Sequence, residues 1–219
     1  MEDKKYAVLI YPEFSLQEIT ALTSCLSVWF GEKIDVIASE KKPYQSEEGF
    51  RIIPHRTVEE AEASDYACII LPGTINPLPA LFDERLIDFL RSGRRADTLF
   101  AAISSAPILL AKAGLLDGRD FTAGFFMQMA KVCPFVDVSH FVHRPVVESG
   151  NVITGIGMFF REFAQQVLTR LGYDVGSSFM ETSGQRYSEE DLTFYWTEEE
   201  YKEFLEEWKE YAGQASPAE

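Results

Sequence analysis

Two adjacent serines, Ser104 and Ser105, stand where a buried strand turns directly into a helix. The run from Thr98 to Ile103 is largely apolar without regular polar alternation, which is typical of a strand covered on both faces. No loop residues separate this strand from the helix, so the first serine is predicted to be exposed on a sharp turn, as in a nucleophile elbow. Small flanking residues permit that turn, although alanines replace the usual glycines. The alternative is structural, because a Ser-Ser pair before Pro107 also caps a helix.

The segments that must position this turn alternate between buried strands and helices. Ser15 opens one helix through a Ser-x-x-Glu capping box with Glu18, and Gly31 ends it. The alternation predicts βαβ units, and therefore an α/β three-layer sandwich whose mostly parallel sheet carries helices on both faces. The predicted strands are 6–11, 34–39, 66–71, 98–103 and 152–154, with extended pieces at 50–54 and 138–147. The predicted helices are 15–30, a short one from 57, 83–92, 104–113, 125–132 and 158–171.

In a parallel sheet the ligand site lies at the carboxyl ends of the strands. Three strands end in sequences that suit such a site. These are Pro12-Glu13, Pro72-Gly73-Thr74 and Ser104-Ser105. We therefore expect these three loops to share one rim.

The composition argues against several classes of partner. A net charge of -15 disfavours contact with a phosphate backbone, so we predict no nucleic-acid partner. No stretch approaches the roughly 18 apolar residues of a membrane span, and we expect a cytoplasmic protein without membrane association. The 3 cysteines are widely spaced and show no metal-binding pattern, which fits a reducing compartment. We expect no metal and no cofactor.

The chain is predicted to consist of one domain, residues 1–175, followed by an acidic extension, residues 176–219. The extension holds 12 acidic and 3 basic residues. Thr197 and Glu200 form a second capping box, which predicts a helix at about 197–212 with an aromatic face and an acidic face. Either this helix packs on its own domain, or it docks on a second subunit through its aromatic face.

Several ordered pieces of the chain together resemble the ThiJ/PfpI superfamily of class I glutamine amidotransferase-like proteins, over about residues 5 to 173. The resemblance implies a flavodoxin-like sheet, frequent homodimers and a reactive cysteine on the elbow. The pieces are Ala7 to Ile10 followed by Glu18, Ile69 to Gly73, Ala101 to Pro107, Leu109 to Leu116, and Val152 to Gly155 leading into Phe163-Ala164.

By position, the resemblance assigns the elbow to Ser104 and the neighbouring carboxylate to Glu18. It also implies an oxyanion hole of backbone N–H groups, which here would come from Gly73 or Thr74 and from Ser105. The family's histidine position falls near Val138, and His140 lies two residues later. His140 reaches the site if a bulge or an altered register brings it forward, and otherwise it is a surface or hydrogen-bonded histidine without a catalytic role.

The serine at the elbow departs from the family pattern. A thiol is partly ionised near neutral pH, whereas an alcohol needs a positioned base. We therefore predict a divergent member that lacks the nucleophilic cysteine and binds a small metabolite or a protein partner at the rim. The alternative is a serine hydrolase or amidase-like enzyme that uses Ser104, His140 and the backbone oxyanion hole. Chaperone or carbonyl-detoxifying activity is a third, weaker hypothesis, because the family usually ties it to the cysteine.

Overall fold

The computed structural model describes residues 5–175 and 188–214. The rest of the predicted acidic extension, 176–187 and 215–219, lies outside the described residues. The strands are β1 (Tyr6–Leu9), β2 (Ile34–Ala38), β3 (Tyr44–Gln45), β4 (Arg51–Ile52), β5 (Arg56–Thr57), β6 (Cys68–Leu71), β7 (Leu99–Ile103), β8 (Val146–Ser149) and β9 (Val152–Gly155). The α-helices are α1 (Gln17–Ser24), α2 (Leu78–Leu81), α3 (Glu84–Ser92), α4 (Pro107–Lys112), α5 (Phe160–Arg170) and α6 (Glu198–Gln214).

One sheet of seven strands, in the order β5-β2-β1-β6-β7-β9-β8, forms the centre of the molecule. All neighbouring strands are parallel except β8 and β9, which are antiparallel. The chain moves one way along the sheet from β1 to β2 and the other way from β6 to β7. Because crossovers between parallel strands are right-handed, the helices of these two connections cover opposite faces. The predicted α/β fold with a mostly parallel, flavodoxin-like sheet is confirmed.

The central strands β1, β6 and β7 are buried at every position. Both faces are covered, because α1 packs with α5 while α2, α3 and α4 pack together as a second group. Burial on both faces explains why these strands read as continuous apolar runs. The order of strands reverses between β1 and β6, so the crevice at their carboxyl ends is the expected position of a ligand site.

Three local predictions need correction. The predicted helix 15–30 is present, but it starts at Gln17 and its last turns are a π-helix, Cys25–Trp29. The predicted extended segment 138–147 begins instead as a 3₁₀ turn, Val138–His140, and the strand starts only at Val146. The predicted helix 125–132 is a 3₁₀ segment, Met127–Lys131.

Helix α6 packs on its own domain. The Trp208 ring meets the Phe82 ring edge-on at 5.1 Å, at the end of α2. Phe204 is 8% exposed and belongs to the main hydrophobic core. The predicted capping box is present, since the Thr197 N–H donates to the Glu200 carboxylate at 2.8 Å and the Glu200 N–H to the Thr197 hydroxyl at 3.3 Å. None of the helices in the described ranges is long and apolar enough to cross a membrane.

Candidate functional site

Ser104 follows β7 in a left-handed backbone conformation, with a φ of 62°. For a residue with a Cβ this conformation costs about 1–2 kcal/mol. Two backbone hydrogen bonds hold it in place: the Ser104 N–H donates to the Gly155 carbonyl at 2.7 Å, and the Gly124 N–H donates to the Ser104 carbonyl at 2.7 Å. The predicted sharp turn from strand to helix is therefore present. Its serine lies at the carboxyl edge of the sheet.

The Glu18 carboxylate lies directly beside the Ser104 hydroxyl. It accepts a hydrogen bond from that hydroxyl and another from the Gly73 N–H, the latter at 2.7 Å. Two residues that pack against Glu18 must be glycine, because a Cβ on Gly73 or Gly157 would overlap the Glu18 carboxylate. Four segments of the chain therefore converge closely on one carboxyl and one hydroxyl.

Burial raises the pKa of Glu18 to about 7, and the negative charges of Glu47 and Glu48 act in the same direction. The hydrogen bonds from Ser104 and Gly73 oppose this rise in pKa, but they are too weak to cancel it. A carboxyl group with such a pKa exists in both protonation states near neutral pH. It can therefore either donate or accept a proton at the site.

Glu18 is available to the site because another residue caps its helix. The predicted capping box between Ser15 and Glu18 is wrong: α1 has no cap from its own first turn. Instead, the Glu48 carboxylate accepts from the backbone N–H groups of Leu16 at 3.1 Å and Gln17 at 2.9 Å, and from the Ser15 hydroxyl at 3.3 Å. A remote carboxylate therefore satisfies the free N–H groups of the helix, and Glu18 turns toward Ser104.

Two of the backbone N–H groups predicted for an oxyanion hole already donate hydrogen bonds to side chains of the site. The Gly73 N–H donates to Glu18, and the Thr74 N–H donates to the Ser105 hydroxyl at 3.0 Å. The Ser105 hydroxyl in turn donates to the Thr74 carbonyl at 2.8 Å, so this pair joins the loops after β6 and β7. Gly73, Thr74 and Ser105 thus lie at the rim as predicted. The first two hold the site's own side chains rather than offering free donors.

The structure does not bring His140 to Ser104. Its Nδ1 pairs with the Asp120 carboxylate at 3.1 Å on the turn Val138–His140. His55 Nδ1 accepts from the Val36 N–H, and the His143 ring packs edge-on against Phe141 at 5.2 Å. All three histidines of the chain are described, and none lines the cavity above Ser104. The site therefore lacks the imidazole base that the hydrolase hypothesis needs.

A cavity of about 750 Å³ lies over Ser104. Its inner wall comes from α1, the turn between β3 and β4, and the rim loops, and it includes Glu18, Glu47, Thr74, Ser104 and Ser105. Its outer wall comes from the segment after residue 188, and the two walls meet through ring stacking of Trp196 on Phe126 at 4.3 Å. The remaining lining residues are Ile75, Asn76, Pro77, Gly124, Phe125, Met129, Glu200, Glu203, Phe204 and Glu207. This volume suits a small organic molecule.

The three cysteines take no part in the site. Cys25, Cys68 and Cys133 are buried, and burial raises the pKa of each thiol. Protonated, buried thiols behave as small apolar groups. In the described ranges no three His, Cys, Asp or Glu residues converge as metal ligands, and the absence of a metal or cofactor stays a prediction.

Sequence reasoning missed three contributors to the site. Glu48 appears in the sequence only as part of a turn, so its capping role depends on the tertiary structure. Gly157 precedes the predicted helix 158–171, and nothing in the sequence indicates that Glu18 needs the space beside it. Trp196 is the last of three consecutive aromatic residues, a pattern that indicates a packed surface. Its position over Ser104 could not be read from the sequence.

The model of the DJ-1/PfpI family matches residues 4–170 of the chain. The protein DJ-1alpha of Drosophila melanogaster is 32% identical over 136 residues, which are 59% of this chain and 60% of that protein. The isonitrile hydratase of Pseudomonas putida is 25% identical over 150 residues, 68% of this chain and 64% of that enzyme. The chain thus spans about three fifths of the length of these two relatives.

A solved structure of a thiJ/pfpI family protein from Bacillus anthracis superimposes with a TM-score of 0.66. The two proteins are 26% identical, and the match covers 82% of this chain and 88% of the other. The family match ends at residue 170, before the segment that forms the outer wall of the cavity.

Proposed function

The chain belongs to the DJ-1/PfpI family, and from that premise we propose that it binds a small organic molecule above Ser104 without cysteine chemistry. The observation that carries this proposal is the identity of the residue at the elbow. A serine hydroxyl donates to Glu18 there, and no thiol or histidine lines the cavity among the described residues. An alcohol without a positioned imidazole is a weak nucleophile near neutral pH. A cavity of about 750 Å³ nevertheless remains open to a ligand.

The test compares the wild type with Ser104→Ala, using a serine-reactive fluorophosphonate and a thermal-shift screen of small metabolites. We expect no covalent labelling of either protein, together with ligand-dependent stabilisation of the wild type. Labelling of the wild type that disappears in Ser104→Ala would establish the serine hydrolase alternative. Failure of every metabolite to stabilise the wild type would contradict binding.

A second candidate function is the addition of water to a polar multiple bond, with Glu18 moving the proton. The specific observation that favours it is the pKa of Glu18, which burial raises to about 7. One relative is named an isonitrile hydratase. The assay follows the conversion of an alkyl isonitrile to the N-alkylformamide. Turnover by the wild type that is lost in Glu18→Gln would favour this candidate, and its absence in both proteins would exclude isonitriles.

We also propose the homodimer and the cytoplasmic location that the sequence predicts. Family membership supports dimerisation. Analytical ultracentrifugation of the full chain tests it, and a single species with the mass of one 24.8 kDa chain would contradict it.

A further inference from the structure

The cavity above Ser104 carries negative charge without a compensating positive charge. Of its lining residues, the charged ones are all glutamates: Glu18, Glu47, Glu200, Glu203 and Glu207. Among the described residues no lysine, arginine or histidine lines it. Carboxylates that converge on a partly enclosed space repel one another and favour a bound positive charge. The charge of the cavity is therefore matched to a cationic ligand.

The carboxylates at the rim loops are hydrogen-bonded but remain uncompensated in charge. Glu18 accepts from Gly73 and Ser104, and burial is the largest cause of its raised pKa. Burial also raises the pKa of Glu47. Hydrogen bonds from neutral donors supply no positive charge. A cation in the cavity would supply the missing opposite charge.

The outer carboxylates lie on α6 among aromatic rings. Glu207 accepts a hydrogen bond from the Asn76 amide, and Glu203 is exposed at the mouth of the cavity. The rings of Trp196 and Phe204 stack at 4.5 Å and form the apolar part of the same wall. Acidic and aromatic surfaces side by side fit a ligand that joins a positive group to an apolar body.

We propose that the cavity above Ser104 selects an organic cation, a compound that joins an ammonium or guanidinium group to an apolar body. This inference rests on the proposed binding function. Glu203 and Glu207 are specificity-determining residues in this scheme. They belong to a segment beyond the family match, so this selectivity is a property of this chain rather than of the family model.

The test measures the affinity of the full chain for three probes of similar shape and different charge: 2-phenylethylammonium, 2-phenylethanol and 3-phenylpropionate. Isothermal titration calorimetry at low salt gives each dissociation constant. We expect the cation to bind about tenfold more tightly than the alcohol, and the carboxylate to bind most weakly. The preference for the cation should shrink as salt is added, because Glu200 and Glu203 are solvent-exposed.

Two matched variants then locate the selectivity. In Glu203→Gln/Glu207→Gln the ratio of the affinity for the cation to the affinity for the alcohol should fall about fivefold. The control Glu206→Gln/Glu210→Gln removes the same charge from exposed positions of the same helix that do not line the cavity. It should retain the wild-type preference.

Two results would overturn the inference while leaving the binding function intact. One is an alcohol or carboxylate that binds as tightly as the cation. The other is a control variant whose affinity for the cation falls as much as that of the cavity variant, because the selectivity would then reflect net charge alone. If no probe of any charge binds, the inference fails, whereas the proposed binding function is decided separately by the thermal-shift screen of metabolites.

Discussion

Serine at position 104 occupies a backbone conformation that suits glycine better. Two hydrogen bonds to the backbone hold the φ of 62° there. Replacing Ser104 by alanine keeps the strain, whereas glycine relieves it. We therefore expect Ser104→Gly to exceed Ser104→Ala in free energy of unfolding by about 1 kcal/mol, as measured by urea denaturation.

Glu13 provides the comparison for that prediction. It is exposed, lies outside the cavity lining and has a φ of 57°. The free energy of unfolding of Glu13→Gly should exceed that of Glu13→Ala by a similar amount. If Ser104→Gly and Ser104→Ala are equally stable while the Glu13 pair differs, the strain attributed to residue 104 is absent.

Glu18 should give the protein a characteristic dependence of stability on pH. Its folded pKa is about 7, above the ordinary value of 4.5, so the folded state holds the proton more tightly than the unfolded chain. Its contribution to stability is present below about pH 4.5 and is lost as pH rises to about 7, by up to about 3 kcal/mol.

The measurement is the free energy of unfolding of the wild type and Glu18→Gln at several pH values between 4 and 8. The difference between the two proteins removes the contribution of other groups. We expect the wild type to lose stability relative to the variant as pH rises through this window. Parallel curves would show that the folded and unfolded pKa values of Glu18 are the same.

Among the secondary-structure elements, α1 depends on a residue far away in the sequence. The Glu48 carboxylate accepts from the N–H groups of Leu16 and Gln17. We expect Glu48→Ala to lower the free energy of unfolding by about 1 kcal/mol, because helix N–H groups lose their acceptor and the favourable charge near the helix N-terminus.

A second readout of Glu48→Ala concerns the site, because α1 carries Glu18. Nuclear magnetic resonance should show shifted amide signals at Gly73, whose N–H donates to Glu18. Glu59→Ala, at another exposed glutamate, should leave both stability and these signals unchanged. An equal loss of stability in both variants would argue against the cap.

The elements that the sequence predicts best are those whose burial leaves a simple pattern. Strands β1, β6 and β7 are covered on both faces, and their apolar runs identify them without tertiary information. The segment 138–147 has no such signal. Its 3₁₀ turn instead depends on the Asp137 carboxylate, which accepts from the Ser139 N–H at 3.0 Å. This local cap competes with an extended conformation.

The capping-box pattern shows why side-chain roles are harder to predict than elements. Thr197 and Glu200 form the box that the sequence predicts. Ser15 and Glu18 have the same spacing but do not, because Glu48 reaches the helix start and Gly73 attracts Glu18. The sequence therefore predicts the pairing of Ser104 with Glu18 only through resemblance to a family. The position of His140 beside Asp120 could not be predicted in this way.

At the scale of the whole molecule, Trp196 attaches the C-terminal segment to the domain. Its ring stacks on Phe126 at 4.3 Å and on Phe204 at 4.5 Å, and its backbone exchanges hydrogen bonds with the Gln128 amide. We expect Trp196→Ala to lower the free energy of unfolding by about 2 kcal/mol, since the indole is only half-buried.

The neighbouring Tyr195 is a matched control, because its side chain is 68% exposed. Tyr195→Ala should change the free energy of unfolding by less than about 0.5 kcal/mol. Guanidinium denaturation followed by circular dichroism measures both variants. Equal effects would mean that the segment is not held through the indole ring of Trp196.

Because of the outer wall of the cavity, the ligands of related proteins are an incomplete guide to the ligands of this protein. Residues 4–170 are shared with the family, whereas Trp196 and the glutamates of α6 come later in the chain. This later segment therefore forms a wall of the cavity that the family match does not include. The substrates of relatives therefore test only the inner wall of the cavity. Compound libraries for screening this protein should also be chosen to suit its outer wall.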